Sequence, residues 1–173
     1  MSTSPWQIGN VPGPTVAKSL QSKTFTRLMK KSSVFVIGTK IGDESEEGEF
    51  LRKISKIIAS KGIPIVASLS SEKLLTEQGV EVKLAMNLPT LTKKLAEEDW
   101  DNLGFEAEII AISGFHYYYQ SQAFSAIRNN SETLKTISLD PYFSPNATFS
   151  SPTIVKNKLP EWYEEMITAA EAI

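Results

Sequence analysis

Cysteine is absent from this chain of 173 residues. That excludes a disulfide, a thiolate nucleophile, a Cys-ligated zinc and an iron–sulfur cluster held by this chain. Histidine occurs once, at His116, so multi-histidine metal sites are excluded as well. Charge of either sign is not in surplus: 18 basic residues face 20 acidic ones, for a net charge of −2. A nucleic-acid binder would show a basic excess, and none is present. Long apolar runs are missing too. No stretch approaches the roughly 18 residues that a membrane span needs, and the polar opening MSTSPWQIGN does not read as a signal peptide. The expectation is a cytoplasmic protein.

What is present is ordinary for one globular unit. Hydrophobic residues make up 41% and charged residues 22%, too apolar for disorder. A chain of this length buries about 70% of its unfolded surface, so its core needs no covalent staple. Residues 1–14 hold Pro5, Pro12, Pro14, Gly9, Gly13 and the isolated Trp6, and read as an irregular arm. Residues 15–173 read as a single α/β domain.

Helix-like and strand-like stretches alternate along that domain. Residues 15–31 carry helix formers and end in Arg27, Lys30 and Lys31, which suit a helix C-terminus. The run SVFVIG, residues 33–38, fits a strand buried on both faces. Phe50, Leu51, Ile54, Ile57 and Ile58 then line one side of a helix, which Gly62 and Pro64 stop. Further strands are expected at residues 63–67, 80–84, 108–113 and 135–139. Helices are expected at 70–78, from Pro89 to about residue 98, at 118–128, and from Pro160 onward. Short strands separated by helices predict βαβ units, hence an open parallel sheet of about six strands with helices on both faces.

In such a sheet ligands bind beyond the carboxyl ends of the strands. Those ends are Gly38-Thr39-Lys40, then Ser68-Leu69-Ser70-Ser71, then Ser113-Gly114-Phe115-His116, then Asp140-Pro141-Tyr142. The first loop, GTKIGDESEEGE, matches neither a dinucleotide fingerprint nor a P-loop. Its carboxylates Asp43, Glu44, Glu46, Glu47 and Glu49 would repel phosphate there. They read as a solvated helix start or as a contact for a basic partner. The aromatic run Phe115, His116, Tyr117, Tyr118, Tyr119 suits stacking or an interface equally. His116 has no recognisable base or nucleophile motif around it, and no catalytic constellation is legible.

Several segments together resemble a known family: KKSSVFVIGT, LRKISKIIASKGIPIVAS, GFHYYYQSQAFSAIRNNSETLKTISLD and PNATFS. They are similar to the epsilon subunit of the archaeal acetyl-CoA decarbonylase/synthase complex, also called the carbon monoxide dehydrogenase epsilon subunit. The resemblance spans residues 15–173 and is most specific at GFHYYYQSQAFSAIRN and PNATFS. It implies a fold like the NAD/FAD-binding middle domain of thiamine-diphosphate enzymes. It also implies a place beside the alpha subunit, two alpha with two epsilon, within the larger complex. The alpha subunit of that family carries the metal clusters. For epsilon, stabilisation of alpha and electron transfer to a flavin are the two roles the resemblance offers.

A flavin is allowed by the crevice without being demanded; if one binds, Gly38, Thr39, Ser68, Ser70, Gly114, Phe115 and Tyr117 are expected to line it. No metal, nucleic acid or membrane is expected, and a homodimer of the isolated chain stays open. A free-standing nucleotide-binding enzyme is the remaining, weaker reading.

Overall fold

The computed structural model describes residues 16–173; the expected arm, with Trp6, lies outside the described residues. The centre of the fold is set by two five-residue strands, β2 (Ser33–Ile37) and β5 (Ile109–Ser113), in which every side chain is buried. Alternation divides them between two helical layers. Phe35, Ile37, Ile109 and Ala111 face one core with α1 (Ser22–Met29), α2 (Glu46–Ser60) and α7 (Leu159–Glu171). Val34, Val36, Ile110 and Ile112 face the other with α4 (Leu88–Ala96), α5 (Trp100–Leu103) and α6 (Tyr117–Asn130). A strand covered on both sides is necessarily an unbroken apolar run.

The sheet has seven strands, all parallel, in the order β1-β7-β6-β5-β2-β3-β4. Its remaining members are β1 (Lys18–Ser19), β3 (Ile65–Ala67), β4 (Val82–Ala85), β6 (Lys135–Ser138) and β7 (Phe149–Ser150). A short α3 (Glu72–Glu77) links β3 to β4. The chain runs outward from β2 through β3 to β4, then returns to β5 on the other flank of β2. Strand order therefore reverses between β2 and β5, and this is where such sheets open a crevice.

The layers and central strands match the sequence expectation, and the start of the domain differs from it. Residues 15–31 are not one helix: Lys18 N–H donates to the Thr148 carbonyl at 3.0 Å and Leu20 N–H to the Ser150 carbonyl at 2.8 Å. Those bonds place Lys18 and Ser19 in the sheet, so the helix begins only at Ser22.

Candidate functional site

Three connections converge on one side of the carboxyl edge. A 3-10 turn at Thr39–Gly42 follows β2, the segment 68–71 follows β3, and His116 begins α6 after β5. The start of α4 closes the far wall, with Asn87 as its N-cap accepting from Thr90 N–H at 2.9 Å. Between them lies a cleft of about 710 Å³. Leu69, Leu88, Pro89, Phe115 and Tyr119 give it apolar walls; Thr39, Ser68, Ser70, Asn87, Thr90 and His116 supply its polar groups. Neither Lys nor Arg lines it.

Four of the seven residues expected from the sequence meet here: Thr39, Ser68, Ser70 and Phe115. Gly38 and Gly114 are not on the wall but beneath it, packed against each other. A Cβ on Gly38 would stand 2.2 Å from the Gly114 carbonyl oxygen, and Gly114 holds a φ of +80°. These glycines serve the close approach of β2 to β5, so their backbones are spent on the fold. Tyr117 turns toward the next loop, where its hydroxyl donates to the Phe143 carbonyl at 3.1 Å. Leu69 and His116, from the strand-end loops, and Tyr119, from the aromatic run, join the cleft although they were not among the seven, and Asn87, Leu88, Pro89 and Thr90 join it from a segment given no site role. The Asn-x-Pro-Thr cap sequence at 87–90 was the signal available for the far wall.

Of the lining hydroxyls, Ser68 is the one firmly engaged. Ser68 and Ser71 share a hydrogen bond of 2.6 Å, and Ser71 Oγ donates to the Gly38 carbonyl at 3.0 Å. His116 is exposed, and its imidazole makes no hydrogen bond or ion pair with a described residue. No nucleophile–base–carboxylate relay is assembled here. Among the described residues, no three His, Asp or Glu side chains are grouped as metal ligands.

On the other side of the β2–β5 contact lies a charged cluster. Asp140 is buried, and one carboxylate oxygen accepts from Ser113 Oγ at 2.7 Å and from Gly114 N–H at 3.0 Å. Burial pushes its carboxyl above the ordinary 3.8, although the Ser113 and Gly114 bonds and the nearby Lys40 act against that; Glu47 reinforces it. Lys40 donates to both Glu47 carboxylate oxygens, at 2.9 and 3.1 Å, and stands 5.9 Å from the Tyr142 ring centroid. Its burial favours the neutral amine, but Glu47, with Asp140 and Tyr142, outweighs this and raises its pKa. The Lys40–Glu47 pair and the buried Asp140 carboxyl form a strut under the edge, not an open site.

The class the fold defines is an all-parallel α/β domain with a ligand-sized cleft at the carboxyl ends of its strands. The chain belongs to the CO dehydrogenase beta subunit/acetyl-CoA synthase epsilon subunit family, whose model matches residues 1–168. It is 26% identical over 164 residues to the acetyl-CoA decarbonylase/synthase complex subunit epsilon of Methanothermobacter thermautotrophicus, covering 94% of this chain and 93% of that one. A similar protein from Methanosarcina barkeri, subunit epsilon 1, is 30% identical over 160 residues, 91% of each chain. Subunit epsilon 1 of Archaeoglobus fulgidus is 27% identical over 167 residues, 94% of this chain and 87% of that one. Among the described residues no helix is long and apolar enough to cross a membrane.

Proposed function

We propose that this chain is a non-catalytic epsilon subunit of an acetyl-CoA decarbonylase/synthase complex, which binds and stabilises the carbon monoxide dehydrogenase alpha subunit in the cytoplasm. The observation that carries the reading is the group of large apolar and aromatic side chains left exposed on the carboxyl edge. Of the six exposed large hydrophobic side chains among the described residues, Leu69, Tyr118, Tyr119 and Tyr142 all sit there. Exposed tyrosines over a rigid sheet are the composition of an interface centre. Capture of the alpha subunit in stoichiometric amount, with a rise in its melting temperature, is the expected result. An alpha subunit equally stable and active without this chain would overturn the reading.

A second reading, a flavin-binding subunit that passes on electrons from carbon monoxide oxidation, is favoured by the size of the cleft and by Phe115 and Tyr119 on its walls. Thr39, Ser68, Ser70 and Phe115 would then contact the ring system, with Gly38, Gly114 and Tyr117 behind them. Against it stands the lack of any Lys or Arg on the wall to meet a diphosphate. Visible absorbance of the purified chain after incubation with FAD and gel filtration separates the two; retained flavin supports this reading.

A further inference from the structure

We infer that the strand-end cleft is a socket for an apolar anchor side chain of the partner subunit, which also presents basic groups to the acidic loop beside the cleft. This rests on the reading of the chain as a subunit of a complex and assigns the surface and chemistry of its contact.

The cleft offers no cation to an anionic ligand, since neither Lys nor Arg lines it, and part of its polar lining is already engaged. Ser68 is tied to Ser71, and Asn87 is held by its own helix. Leu69 stands at the rim 62% exposed, although its turn is fixed by the flanking serine bonds. An aliphatic side chain held out on a rigid turn loses little entropy on being covered. Tyr119, 54% exposed, lies on both the cleft and an adjoining groove of about 330 Å³ between α4 and α6. The apolar surface is therefore continuous across two depressions, and continuous apolar patches mark contact sites.

Charge identifies what lies around the anchor. The 3-10 turn that supplies Thr39 leads directly into Asp43, Glu44 and Glu46. All three are exposed, and none belongs to the six ion pairs formed among the described residues. Glu47 and Glu49 are already neutralised, by Lys40 and Lys53. Arg52, the cation nearest to the loop's backbone, donates instead to the carbonyls of Ile41 and Asp43. The start of α2 favours Glu46, but Asp43 and Glu44 precede its N-cap Ser45. An unneutralised acidic loop that starts four residues after Thr39 of the apolar socket is complementary to an apolar residue set among Lys and Arg.

The test is binding of the full chain to the purified alpha subunit, followed kinetically at several salt concentrations. L69A/Y119A should weaken binding at least about 30-fold, mainly through faster dissociation. D43K/E44K should slow association about 10-fold or more and flatten its salt dependence, with dissociation little changed. K135E, on the amino edge, serves as the control, and unchanged melting temperatures show that each variant folds. Wild-type affinity in L69A/Y119A, or affinity lost only in the control, overturns the socket while leaving the subunit reading intact. No binding by the wild-type chain overturns both. Flavin retained by the wild-type chain and lost in L69A/Y119A, with subunit capture unaffected, gives the cleft to a cofactor and also overturns the socket.

Discussion

Gly38 and Gly114 show how a residue type can be right for a site and still be used for something else. At Gly38 an added methyl meets backbone, the Gly114 carbonyl, which cannot swing aside. Gly38→Ala is expected to cost about 3 kcal/mol, the upper range for forcing atoms into a packed interior. Gly62 has a φ of +75° with nothing within 4 Å of its Cβ position. Gly62→Ala should therefore cost only the left-handed backbone term, about 1 kcal/mol. Urea unfolding of the two variants checks the contrast, and equal losses would mean that β2 and β5 are not held at this spacing.

Asp140 gives the pH dependence its sign. Its carboxyl titrates above 3.8 in the folded chain because burial disfavours the charged form. Between 3.8 and that raised value the folded state binds more protons than the unfolded state, so stability from this group falls as pH rises. Asp140→Asn keeps an oxygen acceptor for Ser113 and Gly114 and removes the buried charge. It should be no less stable than wild type at pH 7, and its relative stability should shrink on acidification through the window. Asp140→Ala leaves the Gly114 N–H without its acceptor and should lose about 2 kcal/mol at either pH. Melting curves taken from acid to neutral pH decide between these signs.

At the scale of elements, the cleft wall depends on where α4 starts. Asn87 fixes that start through its bond to Thr90 N–H, with Pro89 in the first turn. Asn87→Ala should cost about 1 kcal/mol and Asn87→Asp almost nothing, as thermal unfolding would show. Equal losses would mean that the side-chain cap is not what holds the wall. The same element explains what could be read from sequence. β2 and β5 were legible because burial on both faces demands uninterrupted apolar residues. β1 and β7 were not, because Lys18–Ser19 and Phe149–Ser150 join the sheet through backbone bonds that leave no periodic trace. Strand-end loops could be named one by one, whereas their meeting in space depends on strand order. β5 lies beside β2 and brings Phe115 to Thr39, but Asp140, after β6, comes up on the opposite side. The role of Gly38 and Gly114 depends on an interstrand distance, which composition does not encode.

At the scale of the whole molecule, the lack of cysteine becomes a statement about resilience. Two apolar layers hold the sheet, so folding rests on burial and hydrogen bonds rather than on a redox-sensitive link. Thiol reagents and oxygen have no cysteine to attack. The remaining oxidisable sulfurs in the core, Met29 and Met166, are buried beneath α1 and α7, and Met86 is half-buried. Among the described residues no three His, Asp or Glu side chains are grouped as metal ligands, so a chelator is expected to leave the fold unchanged. The isolated chain should therefore keep its circular-dichroism spectrum and its melting temperature, within about 2 °C, after exposure to air, a reductant or EDTA. On the proposed reading, a subunit with that property keeps its partner surface in shape while the neighbouring subunit is damaged. On the same reading, this chain should be recovered folded from an oxygen-treated complex and should still capture the proposed alpha subunit. A melting temperature that fell on chelation or on reduction would refute the argument outright, since it would reveal a metal or covalent link on which the fold depends.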